Sequence, residues 1–339
     1  MVKTSFRYKV IGLGSLLILL FLADIGLGSI DIPFRDLFSA LLNDPSIYAE
    51  IIWQFRLPKA LTCVLAGSAL ATGGLIMQTL FRNALAGPDV LGLSSGASLM
   101  VAIIVLVGQA GFGFLQILSS SPWSMVMAAS LGGMMVFSLV IVIAQFIRDN
   151  TSLLIIGLMI SAATSSIVAV LQFISRAEDL QTFMIWSLGS VGSTSWNELK
   201  VLSLGVVLGI SIASLLLKAL NGWLLGENYA RSIGINIKRS RFWIVASTGL
   251  LTGSVTAFCG PIAFVGLAVP HLIKLLINTT NHKILLPCVI IGGACLLLFC
   301  DILSQLTGNS QVLPLNAITS LIGAPLVVWM IIRNKKLSV

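Results

Sequence analysis

The sequence predicts an all-α, polytopic membrane protein with about ten transmembrane helices and both termini in the cytoplasm. Its 339 residues are 57% hydrophobic and 9% charged, with a mean hydropathy of +1.03, whereas average soluble chains carry about 25% charge. About ten apolar stretches reach the roughly 20 residues that a span requires. Most of the 20 Lys and Arg residues fall on one side of this arrangement, and a basic excess marks the cytoplasmic side.

The predicted spans follow the apolar stretches in chain order, and each end carries an error of a few residues. They are placed at about 10–29, 60–81, 89–109, 123–147, 152–174, 199–220, 242–259, 261–280, 284–304 and 314–332. The connections are short, so residues 1–339 are expected to form a single transmembrane domain. The basic residues before the first stretch also fit a signal peptide, but no clear cleavage site follows them, which favours a retained first span.

The basic loop, about residues 219–241, is a polar interruption in a chain that is otherwise almost continuously apolar. A short helix is predicted from Glu227 to Ile233, after a break at Gly226 and before a C-cap at Gly234. Glu227 and Arg231 are four residues apart and can pair on one helix face. The apolar residues of this segment recur at helical spacing, namely Leu225, Tyr229, Ala230 and Ile233. This stripe needs a cover, which is a partner protein, the lipid headgroups or the chain's own bundle.

Several classes of chemistry lack their residues in this chain. There is no P-loop motif, no nucleophile–base set and no cluster with metal-ligand spacing, so neither an enzyme nor a metal site is expected. The five cysteines lie in or beside apolar runs and are interpreted as packing residues. Asp24, Asp89 and Asp301 lie near the ends of apolar stretches, and carriers usually need a titratable group inside the membrane. The net charge of +8 reflects membrane topology rather than nucleic acid.

Small residues at four-residue spacing predict close helix packing. Gly67 and Ala71 lie in the second predicted span, and Gly92 and Gly96 form a GxxxG in the third. The GxxxG is a weak signal, and tight packing is its simplest explanation.

From about residue 50 to the C-terminus, several motifs resemble those of the permeases of iron-chelate and cobalamin ABC importers, the type II import family. The matching segments, in chain order, are Arg56-Leu57-Pro58-Lys59, the stretch 74–92, the stretch 225–234, Gly260 to His271 and Ile322-Gly323-Ala324-Pro325. The chain departs from the family pattern at Ala84, where Pro is usual, and at Lys59, where Arg is usual.

The resemblance implies a multi-pass permease in the cytoplasmic (inner) membrane of a bacterium. A second permease chain would complete the pathway, and both a homodimer and a paralogue pair remain open. Two cytoplasmic ATPase subunits would hold ATP and Mg²⁺, so this chain itself needs no cofactor. A periplasmic or lipoprotein-anchored binding protein would deliver the substrate, and membrane lipid surrounds the spans.

The resemblance also assigns roles to residues. The coupling helix, which would dock on the ATPase, comprises Leu225, Gly226, Glu227, Ala230, Arg231, Ile233 and Gly234. Arg56 and Lys59 would face acidic residues of the binding protein, and the motif match favours this role over the alternative of interfacial snorkelling. Candidate pathway or gate residues are Asn83, Gly92, Asn150, Thr151, Pro270 and His271. From its residues alone, His271 is better explained as a packing histidine inside a span.

The expected function is therefore import of an iron chelate, either a siderophore complex or haem, driven by a partner ATPase. A cobalamin importer is the alternative within the family. A partner-independent secondary carrier is the alternative from another class, and it requires a buried charged site that the sequence does not reveal. A membrane enzyme lacks a catalytic set.

Overall fold

A computed structural model of the chain describes residues 2–28, 32, 47–107, 122–147, 150–305 and 312–335. Within these ranges the chain is helical and contains no β-strand. The α-helices are α1 (Val2–Gly26), α2 (Ile47–Ile51), α3 (Leu57–Phe81), α4 (Leu93–Ala102), α5 (Pro122–Phe146), α6 (Asn150–Ile174), α7 (Ala177–Ser187), α8 (Trp196–Leu215), α9 (Leu217–Leu224), α10 (Glu227–Ser232), α11 (Ile237–Cys259), α12 (Val265–Ile277), α13 (His282–Gln305) and α14 (Leu315–Lys335).

The predicted spans agree with the helices of the described residues. Seven helical stretches there are long and apolar enough to cross a membrane, namely Phe6–Gly26, Ile47–Phe81, Trp123–Ile143, Ser152–Ile174, Trp196–Leu215, Ile237–Cys259 and His282–Gln305. Three shorter apolar helices occupy the remaining predicted spans, at Leu93–Val107, Val265–Ile277 and Leu315–Trp329. The all-α membrane fold is confirmed, while the sidedness of the termini stays a prediction. The predicted span ends at 29 and 109 lie outside the described residues.

The second predicted span starts earlier than expected. A π-helical turn, Ile52–Arg56, joins α2 directly to α3, so helix continues from Ile47 to Phe81. Pro58 lies inside this continuous helix and does not end it, because the π-helical turn directly before it shifts the backbone hydrogen bonds, and such local adjustments accommodate a missing N–H in membrane helices.

The chain divides into two compact units. Unit 1 comprises Met1–Leu75, Ser190–Leu204 and Ile262–Val339, and unit 2 comprises Ile76–Gly189 and Gly205–Pro261. Helices α3 and α8 each begin in unit 1 and end in unit 2. The prediction of a single domain stays a prediction.

In unit 1, glycines let helices approach until their backbones touch. A Cβ on Gly67 of α3 would overlap the carbonyl oxygen of Gly293 of α13, and a Cβ on Gly293 would overlap that of Gly67. One turn before Gly293 in α13, Ile290 O accepts a hydrogen bond from Ser68 Oγ at 3.0 Å. Likewise, a Cβ on Gly74 would overlap the carbonyl oxygen of Gly266 in α12. The small-residue spacing at Gly67 therefore serves close packing, as predicted.

Two sequence motifs meet elsewhere in unit 1. Phe264 precedes α12 with a left-handed φ of 67°, a conformation that is unusual for a bulky residue. Its side chain lies against Gly323 of α14, where a Cβ would overlap Phe264 Cβ. Asn316 Oδ1 also accepts a hydrogen bond from Ala263 N at 3.0 Å. Helix α14 therefore holds the strained entry to α12 in place.

Glycines also bring helices of unit 2 into direct backbone contact. A Cβ on Gly96 of α4 would overlap the carbonyl oxygen of Gly132 of α5 and the side chain of Val136. The reverse contact is as close, from Gly132 to the carbonyl oxygen of Gly96. Gly96 of the GxxxG thus serves tight helix packing, whereas Gly92 lies just before α4 with a left-handed φ of 76°. A buried cluster around Trp223 joins residues from the end of α3 and from α4, α5, α6, α8, α9, α10 and α11.

All five cysteines are buried, and none of them is in a disulfide. They pack inside helices or at helix ends, as expected from their apolar surroundings. Cys295 Sγ in α13, for example, lies 3.9 Å from the carbonyl oxygen of Leu13 in α1.

Gly67→Ala should destabilise the protein, because its methyl group would overlap the backbone of α13 and force the helices apart. Overpacking of this kind costs about 1–3 kcal/mol. The matched control is Gly253→Ala in α11, where no atom lies within 4 Å of the added Cβ. The control should be neutral or slightly stabilising, since alanine favours helix by about 1 kcal/mol. Thermal unfolding of the purified chain in detergent measures both, and equal midpoints would contradict the close-packing interpretation.

Candidate functional site

The predicted short helix in the basic loop exists as α10 in unit 2. Gly226 precedes it with φ 106° and Gly234 follows it with φ 84°, conformations that glycine adopts without steric cost. The first turn closes with a hydrogen bond from Ala230 N to Gly226 O at 2.9 Å. Ile235 N then donates to Ala230 O at 3.0 Å, which satisfies a carbonyl at the end of the helix. None of the candidate membrane spans of the described residues includes α10.

The apolar residues of this segment divide into two faces. Ala230 is fully buried and packs into the cluster around Trp223. Leu225, Tyr229 and Ile233 point outward, with 63%, 46% and 52% of their surface exposed. The sequence grouped these four residues as one stripe. The structure uses one of them to fix α10 on its own unit and leaves the other three partly exposed among the described residues.

Glu227 contacts two arginines. Arg231 Nη2 lies 3.1 Å from Glu227 Oε1, which is the predicted pair at four-residue spacing. Arg241 Nη2 lies 3.3 Å from Glu227 Oε2. The sequence did not reveal the second pair, because Glu227 and Arg241 are 14 residues apart and belong to different helices.

Arg241 is buried at the start of α11 and has contacts with three segments. Besides Glu227, its Nη1 donates to the carbonyl oxygen of Ile147 at 3.1 Å, directly after α5. Its guanidinium also lies over the ring of Trp223, 5.8 Å from the centroid, within the range of a cation–π interaction. The Trp223 Nε1 in turn donates to Ser240 Oγ at 3.0 Å. Arg241 therefore joins three segments of the site, in addition to being one of the basic residues that set membrane orientation.

Arg56 lies in unit 1, at the end of the π-helical turn before α3. Its side chain is buried, and Nη1 donates to the carbonyl oxygens of Ile25 and Gly26 at 2.8 Å each. These are carbonyls at the C-terminus of α1, which helical hydrogen bonds leave unsatisfied. A cation there also interacts favourably with the helix dipole. Arg56 thus anchors the end of α1.

Lys59, also in unit 1, pairs with two buried carboxylates. Its Nζ lies 2.8 Å from Asp301 Oδ2 and 3.6 Å from Asp24 Oδ1. Gln305 Nε2 donates to Asp301 Oδ2 at 2.6 Å. The sequence placed both acids near span ends, as the structure does, but it did not reveal their burial or their common lysine. The docking role of Arg56 and Lys59 stays a prediction, and both side chains already have partners inside the chain.

A metal at this cluster is not required by its geometry. Ligand atoms of Asp24, Asp301 and Cys63 lie within 4.8 Å of one another, and such atoms can bind a cation. The Lys59 ammonium already lies against both carboxylates, so the cluster contains a cation from the chain itself.

The candidate gate residues are distributed over both units. In unit 2, Asn83 Oδ1 accepts a hydrogen bond from Leu85 N at 2.9 Å in an exposed turn. Gly92 has φ 76°, and a Cβ there would lie 3.0 Å from Ser161 Oγ. Asn150 and Thr151 form the first turn of α6. In unit 1, Pro270 and His271 are buried within α12. Their gating role stays a prediction.

The helical fold defines an all-α, multi-pass membrane protein, and comparison with known proteins identifies its family. Residues 16–333 match the FecCD transport family. The chain is 36% identical over 330 residues to the hemin transport system permease protein HmuU of Yersinia pestis, with 96% of each chain covered. It is 35% identical over 292 residues to the vitamin B12 import system permease protein BtuC of Vibrio cholerae, with 85% of each covered.

A solved structure agrees with the sequence relatives. A chain from an inward-facing metal-chelate type ABC transporter superposes with a TM-score of 0.84 at 28% identity, covering 96% of this chain and 99% of that one. The chain belongs to the FecCD transport family and is a multi-pass membrane permease, as the sequence motifs predicted.

Lys59→Met should destabilise the protein, because it leaves Asp24 and Asp301 buried without their cation. Removing one partner of a buried ion pair costs about 3–5 kcal/mol. Lys200→Met is the matched control, since Lys200 is exposed at the start of α8 and such changes usually stay within about 0.5 kcal/mol. Thermal unfolding midpoints in detergent measure the stability of both variants. Wild-type stability of Lys59→Met would contradict the internal role assigned to this lysine.

Proposed function

We propose that this chain is the permease subunit of an ABC importer that moves an iron chelate, a siderophore complex or haem, across the bacterial cytoplasmic membrane. The observation that carries the proposal is the outward face of α10. Three large apolar side chains, Leu225, Tyr229 and Ile233, are exposed there, outside every candidate span of the described chain. Such a face costs free energy in water unless a partner covers it.

The partner at α10 is a cytoplasmic ATPase, and α10 is the coupling helix. A short helix with apolar anchors enters a groove of another protein by burying those anchors. Ala230, on the opposite side of α10, is buried in the chain's own core. This contact holds α10 on unit 2 when a partner binds its outer face. ATP and Mg²⁺ bind in the partner, and this chain catalyses no reaction. The basic loop then lies in the cytoplasm, in agreement with the excess of Lys and Arg there.

The remaining partners follow from the family. A second permease chain, most simply another copy of this one, completes the pathway, and a periplasmic or lipoprotein-anchored binding protein delivers the substrate. Arg56 and Lys59 contribute positive charge to the docking surface for that protein. Lys59 can do so only in part, because Asp24 and Asp301 already neutralise much of its charge.

The substrate proposal is supported by the relatives. A hemin permease matches over 96% of both chains, which is more complete than the 85% overlap with a vitamin B12 permease. The metal-chelate transporter agrees in fold over nearly the whole chain. These observations favour an iron chelate over cobalamin.

Tyr229→Asp should weaken binding of the ATPase at least tenfold, because it places a charge in the centre of the apolar contact, and tenfold corresponds to about 1.4 kcal/mol. Asn228→Asp is the matched control, since it adds the same charge at an exposed polar position of the same helix. Co-purification of the ATPase with the tagged chain in mild detergent measures the effect. Equal recovery with both variants would contradict the docking role of α10.

Uptake by proteoliposomes that contain the permease, its ATPase and its binding protein tests the substrate. A ferric siderophore or haem should accumulate only when ATP is supplied, and cobalamin should not. Preferential uptake of cobalamin would replace the iron chelate by the alternative within the family. Uptake by the permease alone without ATP would overturn the importer proposal in favour of a secondary carrier.

A further inference from the structure

We propose that Arg241 is the positioning residue that transmits movement of α10 to the C-terminal end of α5. This inference rests on the proposed function, because it takes α10 to be the coupling helix. It concerns how displacement of α10 reaches the transmembrane helices, a step for which the sequence suggested no residue.

The guanidinium of Arg241 is a single rigid group that contacts both α10 and the residue directly after α5. Its Nη2 faces Glu227 Oε2 at 3.3 Å, in the first turn of α10. Its Nη1 donates to Ile147 O at 3.1 Å, immediately after α5. Because the guanidinium is planar and its donors are fixed relative to one another, a shift of Glu227 is passed to Ile147 rather than absorbed by side-chain rotation.

Packing limits the other ways in which Arg241 could respond. The residue is only 8% exposed, and its guanidinium lies over the fully buried Trp223. Trp223 is itself fixed by the hydrogen bond from its Nε1 to Ser240 Oγ, one residue before Arg241. A charged group in such surroundings keeps its partners, because an unpaired buried charge is costly.

The second arginine of Glu227 cannot serve this purpose. Arg231 lies on α10 itself, and 69% of its side chain is exposed. Exposed pairs at four-residue spacing contribute little to stability, because water screens them. This pair stabilises α10 as a helix, whereas the Arg241 pair connects α10 to another part of unit 2.

The contact of Arg241 with Ile147 lies close in sequence to the predicted gate residues. Ile147 lies three residues before Asn150, where α6 begins, and Asn150 and Thr151 are candidate gate residues. A displacement of the Ile147 carbonyl therefore acts on the end of α5 close to the start of α6. In this way Arg241 relates the position of α10 to the segment where the inner gate is expected.

Arg241→Lys tests the inference in the reconstituted complex of permease and ATPase. Lysine keeps the charge but lacks the two-pronged geometry, so one freely rotating ammonium replaces the two fixed nitrogens that contact Glu227 and the Ile147 carbonyl separately. We expect the ATPase to co-purify in wild-type amount and to hydrolyse ATP, while substrate moved per ATP hydrolysed falls at least tenfold. Arg239→Lys is the matched control, because Arg239 is exposed on the same helix, and its ratio should not change.

A double-mutant cycle separates a link from a general structural role. If Arg241 acts through Glu227, then Arg241→Lys combined with Glu227→Gln should lower transport per ATP no further than Arg241→Lys alone, since changes within one link are not additive. Additive losses would overturn the inference, as would a wild-type ratio in Arg241→Lys. Joint loss of thermal stability and ATPase recovery in Arg241→Lys would also overturn it, in favour of a purely structural arginine.

The behaviour of the wild-type chain tests the proposed function separately from the role of Arg241. A wild-type chain that recruits no ATPase contradicts the importer proposal itself. A wild-type chain that couples normally, alongside an Arg241→Lys variant that also couples normally, contradicts only the role of Arg241.

Discussion

Direct contact between helix backbones is the constraint on which both units depend. In an apolar solvent, helices gain little from hiding apolar side chains, so association depends on van der Waals contact and close approach. Gly67 with Gly293, and Gly96 with Gly132, provide that approach in unit 1 and unit 2, respectively. Each pair is reciprocal, since a methyl group on either member would overlap the other's backbone. The helix positions, and with them the polar groups between helices, are set by these contacts.

Three basic residues show that charges buried by this close packing have partners within the chain. Arg56, Lys59 and Arg241 are largely withdrawn from solvent, and each has partners from another helix or helix end. Arg56 and Arg241 satisfy carbonyl oxygens that end helices, while Lys59 neutralises carboxylates. Burial without such partners would cost several kcal/mol per charge. The same residue types that establish topology by their sign therefore also join helices by their hydrogen bonds.

The sequence predicted what local spacing encodes. Ten apolar stretches, the helix at Glu227 and the pair formed with Arg231 follow from residue order, because hydropathy and four-residue spacing are properties of one segment. The partners of Lys59 and Arg241 do not, because Asp24, Asp301 and Ile147 come into reach only through the packing of distant helices. The division of the apolar stripe, with Ala230 buried and Tyr229 exposed, also depends on which side of α10 the core of unit 2 occupies. Family motifs named the residues around these contacts but not the contacts themselves.

The burial of all five cysteines makes the natural chain a convenient background for spectroscopy. Thiol reagents need an accessible thiolate, and structural cysteines buried in apolar surroundings are inert. A cysteine introduced at an exposed position such as Ser232 would thus take up a maleimide dye or a nitroxide with little competition. Probes placed at the end of α10 and at a second exposed site could report distances during turnover without prior removal of the native cysteines.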